Sequence, residues 1–219
     1  TTINNVDTMA QAALVMRHGP EWYTSIGAED HPGPFLYGIS GHVNKPGLYE
    51  YPSGMLITDL IYEVAGGIRG GKKLKGVVPG GSSVPILTTE MCEGTTMNAA
   101  SLGEAGSLVG TCGMCVLDED TDIVQFMYRI TRFYDHESCG QCTPCREGTG
   151  WLKKVIKKFV DYEADMRDFD LLISLCDNME GRTVCALADA AAWPVRNTIT
   201  RFREDFEKRV KKKVVHAMA

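Results

Sequence analysis

Three cysteines stand at two-residue intervals in Cys139-Gly140-Gln141-Cys142-Thr143-Pro144-Cys145, and a fourth, Cys185, follows well downstream. No other stretch limits the fold as tightly. Thiols at this spacing can fan around one face of a cubane while the chain turns beneath them, as in the opening of bacterial ferredoxin runs. A structural zinc site instead pairs two separate C-x-x-C or C/H knuckles. The ferredoxin ending, a further Cys soon after the third and followed by Pro, is absent. One ligand must therefore come from a distance, and Cys176 and Cys185 compete for the place. Cys176 falls on the apolar side of an expected helix. Cys185 immediately precedes a helix start, where backbone N–H groups and the positive end of the helix dipole stabilise an anionic cluster. Cys139, Cys142, Cys145 and Cys185 are the expected ligands of a [4Fe–4S] cluster.

Eight cysteines in all raise the alternative of four disulfides. A chain of 219 residues with 44% hydrophobic content can build its core without stapling, so metal is favoured. The net charge of −5 argues against a nucleic-acid binder, which shows a broad basic surface. No apolar run approaches membrane-spanning length, and the start lacks the basic-then-apolar pattern of a signal peptide. A reducing compartment fits these features. The opening Thr1-Thr2-Ile3, without Met, reads as the middle of a domain in a longer protein.

Asn4 or Asn5 caps a helix expected to run to about Arg17, with Gly19 as its stop. Residues 35–39 and 47–51 read as two strands around an Asn44-Lys45-Pro46-Gly47 turn. A short helix follows, capped by Ser53 or Thr58, with Leu56, Leu60, Ile61 and Val64 apolar and Gly66-Gly67 at its end. Residues 75–78 form another strand. Strand–strand–helix–strand in so short a stretch is a β-grasp-like unit. Residues 93–106 are small and polar, a linker or surface loop, and 108–117 is a compact apolar run, expected as a buried strand.

From Asp122 the apolar period becomes helical. Helices are expected over 122–136, 148–162, 167–179 and from about Ala186 past Phe206, with Pro194 starting or kinking a stretch of the last. Four amphipathic helices on short connections make a small bundle. The fold class is α+β: a β-grasp domain followed by a four-helix bundle that carries the cluster.

Other motifs are weaker. Gly66 to Lys73 nearly fits a phosphate loop, but Lys73 stands where Ser or Thr must reach magnesium, and the glycines follow a helix. Cys112 and Cys115 have zinc-knuckle spacing, yet three residues apart in a strand they face opposite sides. With Cys92 they are expected as buried free thiols. The basic run Lys208 to Lys213 suits a solvated helix C-terminus. No Ser-His-Asp or acid-pair arrangement supports hydrolysis, and His136 reads as a capping or surface residue. The cysteine site reads as one-electron transfer.

His136-Glu137-Ser138-Cys139-Gly140-Gln141-Cys142-Thr143-Pro144-Cys145-Arg146-Glu147-Gly148 resembles the NADH-binding flavoprotein subunit of respiratory complex I, the 51-kDa type, shared with diaphorase subunits of NAD-linked hydrogenase and formate dehydrogenase. Cys185-Ala186-Leu187-Ala188-Asp189-Ala190-Ala191-Ala192-Trp193-Pro194-Val195, Thr1 to Thr8 and Val78-Pro79-Gly80-Gly81-Ser82-Ser83 carry the likeness along the chain. The resemblance implies that hydride from NADH passes to FMN, which releases single electrons to the [4Fe–4S] cluster and on towards quinone. It implies FMN contacts from Asn4, Asn5 and Thr8, and from Ala186 and Leu187 on the cluster side. Most nucleotide contacts belong to the family's amino-terminal flavin domain, whose glycine-rich loop has no counterpart here. The implied organisation is 1–34, an edge of the flavin domain; 35–90, an SLBB-like, ubiquitin-like β-grasp domain; 91–120, a linker and strand returning to the flavin domain; and 121–219, the iron–sulfur bundle. Implied partners are the 24-kDa-type [2Fe–2S] subunit and the large iron–sulfur subunit, with no nucleic acid and no membrane insertion. The implied location is cytoplasmic, peripheral on the inner face of the cell membrane, or on the matrix side in a mitochondrion.

Overall fold

The computed structural model describes residues 1–211. Helix α1 (Val6–His18) starts on Asn5, whose side chain accepts the Thr8 N–H, and stops at Gly19; α2 (Pro20–Thr24) follows directly. Two short strands, β1 (Gly27–Ala28) and β2 (His31–Pro32), pair antiparallel. The chain then enters β3 (Pro34–Gly41) and β4 (Gly47–Pro52). A helical passage opens as α3 (Ile57–Asp59) and widens into a π-turn over Leu60–Val64. Its N-cap is Leu56 and no side chain caps it. Ser53, one of the two expected caps, instead accepts the Ala28 N–H at 2.9 Å and donates to the His31 carbonyl at 2.5 Å, so its hydroxyl pins the β1–β2 hairpin. After a 3-10 turn at Arg69–Gly71 come β5 (Leu74–Val78), β6 (Leu87–Thr88), α4 (Thr89–Cys92), α5 (Ala99–Glu104) and β7 (Gly113–Asp118).

The strand order is β4-β3-β7-β5-β6, with β3 and β7 parallel at the centre and the other pairs antiparallel. This is the β-grasp arrangement, and it corrects two expectations. Residues 91–120 do not leave the domain: β7 fills the central slot, because β3 and β5 have no register with each other and each pairs with β7 instead. Residues 93–106 are not simply a surface loop. They hold α5, capped by Asn98, with Met97 and Leu102 fully buried. Strand β7 is covered on both faces. Met114 and Val116 enter one core with Tyr37, Ile39, Leu60 and Ile61, while Cys115 and Leu117 meet a second core with Val78. Two-sided burial explains why this strand reads as an apolar run and not as an alternation.

That second core belongs to the bundle of α6 (Ile123–Glu137), α7 (Thr143–Val160), α8 (Arg167–Met179) and α9 (Leu187–Arg201), closed by α10 (Arg203–Glu207). Phe159, Phe169 and Phe206 meet edge to face at its far end. The expected last helix breaks at Phe202, where φ −115 and ψ 35 leave the helical region, and Pro194 lies inside α9. The basic run is not wholly solvated. Arg209 pairs with Asp122 at 2.5 Å and stacks over Tyr162, while Lys212 and Lys213 lie outside the described residues. Lys72, on the glycine-rich turn, is held by Asp120 at 2.7 Å and Asp118 at 3.4 Å, the setting of a turn and not of a phosphate loop.

Candidate metal centre

Cys139 lies in the link between α6 and α7, Cys142 is the N-cap of α7, and Cys145 sits in that helix's first turn. The helix was expected from Gly148 but starts earlier, at Thr143. Pro144 sets its beginning, since a fixed φ suits a first turn and the missing N–H is one that no helix would bond there. Cys145 is thereby locked into regular backbone, and the Thr149 hydroxyl donates to its carbonyl at 2.8 Å. Burial is graded: Cys139 is exposed, Cys142 half-buried, and Cys145 only 7% exposed. Gly140, at φ +80, supplies the left-handed step that turns the link, and Arg146 Nη1 clamps its carbonyl at 2.8 Å.

Cys185 is exposed in the α8–α9 link, one residue before the N-cap Ala186. Two bonds shape that link: Gly181 N–H to Asp189 Oδ1 at 2.8 Å, and Thr183 Oγ1 to the Cys185 carbonyl at 2.8 Å. A third joins it to the other cysteines, because the Val184 N–H points at Cys142 Sγ at 3.5 Å. The starts of α7 and α9 thus meet. Neither has a side-chain cap. Ser138 Oγ lies 3.2 Å from Cys145 Sγ. Cys142 Sγ with the Val184 N–H on it and Cys145 Sγ beside the Ser138 hydroxyl, at two helix starts without side-chain caps, form a setting that fits an anionic four-thiolate cluster. Among the described residues, no three His, Cys, Asp or Glu side chains gather closely enough to hold a single metal ion.

The other thiols are elsewhere. Cys176 is fully buried in the bundle core, donates to the Ala192 carbonyl at 3.4 Å, and is pushed up to about 12 by burial. Burial likewise raises Cys92 to about 12 and Cys112 to about 11, and raises Cys115. Cys112 packs in the β-grasp core and Cys115 against the bundle core, but Cys112 stands just before β7 at φ +54, so the expected strand does not reach it and strand alternation is not what separates the two thiols. His136 is exposed and bonds Glu137 at 2.9 Å.

Of the expected flavin contacts, Asn5 is engaged as the α1 cap, its Oδ1 accepting the Thr8 N–H at 3.0 Å and the Thr8 hydroxyl at 3.3 Å; Asn4 is exposed before it. Helix α1 buries none of its residues and borders a hollow of about 420 Å³ lined by Asp7, Thr8, Gln11, Tyr23, His31 and Phe35 among others. Ala186 and Leu187 begin α9 in the bundle. Among the described residues no hydrogen bond joins these two groups. Sequence reasoning missed Ser138, Arg146 and Val184. Ser138 stands next to Cys139 in the chain, but it bonds Cys145, and that contact depends on where α7 begins.

Residues 36–125 match the family model for the SLBB domain, and residues 125–209 match that for the NADH-ubiquinone oxidoreductase-F iron-sulfur binding region. The F-type subunit of the NADH-quinone oxidoreductase of Rickettsia bellii is 46% identical over 96% of this chain and 51% of its own length. Its counterpart in Rickettsia felis is 47% identical over 96% of this chain and 50% of its own. The crystal structure of an NAD+-reducing [NiFe]-hydrogenase in the air-oxidized state superposes with a TM-score of 0.86 at 31% identity, over 96% of this chain and 36% of that one. Its H2-reduced state gives 0.87 at 30% identity, over 98% of this chain and 36% of that one. The chain spans about half the length of the curated relatives it matches. With an SLBB region, an iron–sulfur binding region and this identity along nearly its whole length, the chain is similar to about half of the F-type subunit of NADH-quinone oxidoreductase.

Proposed function

We propose that this chain is the electron-output part of an NADH dehydrogenase flavoprotein subunit, in which Cys139, Cys142, Cys145 and Cys185 hold a [4Fe–4S] cluster. The observation that carries this reading is the Val184 N–H contact with Cys142 Sγ, which brings the distant Cys185 link to the three-cysteine segment. When bound, the cluster supplies one-electron transfer between reduced FMN and the next carrier on the way to quinone. The protein's own contribution is placement. The first turn of α7 orients Cys142 and Cys145, Gly140 lets the link turn closely, and Arg146 holds that turn in shape. The start of α9 sets Cys185 and the neighbouring Ala186 and Leu187, which would face the flavin.

Asn4, Asn5 and Thr8 would approach FMN from the other side. In this reading residues 1–34 edge the flavin domain, and the hydride site belongs mainly to residues outside this chain. The natural partners are the 24-kDa-type [2Fe–2S] subunit and the large iron–sulfur subunit, in a complex peripheral to the membrane on its cytoplasmic or matrix side. No described helix is long and apolar enough to cross a membrane. The similarity to the hydrogenase structures favours one second reading, a diaphorase subunit with the same cluster chemistry.

Iron and acid-labile sulfide analysis, with the electron-spin signal of the dithionite-reduced protein, tests the proposal. Cys185→Ser should lose the signal and Cys176→Ser should keep it. Colourless protein with stoichiometric zinc would sink the cluster, and reversed behaviour of the two variants would move the fourth ligand to Cys176.

A further inference from the structure

The Ser138 hydroxyl has a role that the ligand set does not include. Ser138 ends α6, its own N–H bonded to the Tyr134 carbonyl at 3.1 Å, and its extended backbone (φ −61, ψ 122) turns the chain towards Cys139. Its Oγ accepts the Gly140 N–H at 3.4 Å and stands 3.2 Å from Cys145 Sγ. One oxygen lone pair is thus occupied, and the hydroxyl proton is free for sulfur. A ligated cysteine has no proton of its own, so Ser138 is the only possible donor of the pair.

We propose that Ser138 donates a hydrogen bond to the Cys145 thiolate in the cluster-loaded protein and holds the reduction potential above that of the same cluster without it. The inference rests on the cluster reading given above. Adding one electron increases the negative charge shared by the ligand sulfurs, so a bond donated to sulfur strengthens on reduction and favours the reduced form. No covalent bond changes, and the proton stays on Ser138 Oγ throughout. Cys145 is where such a bond counts most. It is the most buried of the four ligand candidates, whereas Cys139 and Cys185 are exposed and open to water, which screens and replaces individual donors. The Val184 N–H plays the same part at Cys142 from the backbone, at a longer 3.5 Å, where side-chain substitution leaves it in place.

The test is a redox titration of the loaded protein followed by electron-spin resonance, with iron and sulfide measured on every sample. Ser138→Ala should keep its iron and sulfide but titrate at a more negative midpoint. At the potential that half-reduces the wild type, its ratio of reduced to oxidised cluster should fall about threefold, a fraction of what a charge-assisted hydrogen bond is worth. Ser138→Thr, which keeps the hydroxyl, should titrate with the wild type. A loaded Ser138→Ala protein with the wild-type midpoint overturns the proposal and leaves the cluster assignment standing. Should Ser138→Ala fail to load, Ser138→Gly also removes the hydroxyl without adding a metal ligand, and the same comparison holds: a lower midpoint supports the proposal and an unmoved one overturns it. Wild-type protein without iron and sulfide removes the cluster reading and the proposal together.

Discussion

Arg201 Nη1 donates to the carbonyl oxygen of Ile86 at 2.7 Å, across the seam between the bundle and the β-grasp domain. Its Nη2 reaches the carbonyls of Gly106 at 2.9 Å and Ala105 at 3.1 Å. The guanidinium is thus met by three carbonyl dipoles, and burial pulls its pKa below the usual arginine range without discharging it. Arg201 ends the helix that starts just after Cys185, so the contact fixes the far end of a metal-site helix to the sheet domain.

Arg201→Ala should therefore destabilise the protein by about 2–3 kcal/mol, the cost of stranding partly buried acceptors and losing charge-assisted bonds. Arg201→Lys, with no planar fork, should recover only part of it. Urea unfolding curves of the three proteins measure this, and superimposable curves would show that the seam does not depend on Arg201.

Buried thiols set an alkaline limit. The folded protein holds the Cys92 and Cys176 protons up to about pH 12 and that of Cys112 to about 11, against an ordinary thiol value of 9.0. The unfolded chain releases them from about pH 9, so ionisation there favours unfolding. This stability is fully present below pH 9 and is lost as pH rises through the folded values. Urea midpoints should be level from about pH 7 to 8.5 and fall beyond about pH 9, and Cys92→Ala should flatten that fall. Equal alkaline slopes for Cys92→Ala and wild type would remove Cys92 from the account.

Gly80 has no room for a side chain. A Cβ there would stand 2.1 Å from the Val109 carbonyl oxygen, a backbone atom that cannot swing aside. The Gly80 carbonyl meanwhile accepts the Thr111 N–H at 3.0 Å, tying the β5–β6 link to the approach of β7. Gly80→Ala should cost about 3 kcal/mol or more, as overpacking against fixed backbone does. Gly103→Ala, in α5 with nothing within 4 Å of the new Cβ, should instead stabilise by about 0.5–1 kcal/mol. Thermal unfolding of both variants should shift in opposite directions.

A different clash separates α7 from α8. A Cβ on Gly148 would lie 2.6 Å from Met179 Cγ and Sδ, in a side chain that is 1% exposed. Gly148→Ala should cost about 1–2 kcal/mol, and in a Met179→Ala background the penalty should shrink by at least about 0.5 kcal/mol, because truncation removes the clashing atoms. A double-mutant cycle with zero coupling would place the clash elsewhere.

The elements that could be read from the sequence were those whose information is local. Helices α6 and α8 follow their apolar spacing, and Asn5, Gly19 and Asp122 stand at the helix boundaries where their chemistry belongs. Helix α5 escaped because it is short and Leu102 is its one buried residue, while the neighbouring anchor Met97 lies before its N-cap, so the two make no period. The role of β7 escaped for another reason. Val116 and Leu117 announce a buried strand, but nothing near them says which sheet it enters. At the metal site, spacing singled out the thiols, yet the Ser138–Cys145 contact depends on a helix start that Pro144 moved ahead of the apolar pattern.

Because β7 occupies the centre of its sheet, the order in which the chain leaves the ribosome matters. Gly38 pairs with Gly113 and Val77 with Val116, so β3 and β5 both wait for the last strand before they share a sheet. Such non-local pairing slows folding, since the long loops must close before the contacts repay them. Helix α6 begins at Ile123, just beyond Asp118, so the strand that completes the β-grasp sheet emerges almost together with the helix that opens the bundle. A nascent chain stopped before Gly113 should remain open to protease along β3 and β5, and one extended past Asp118 should become resistant.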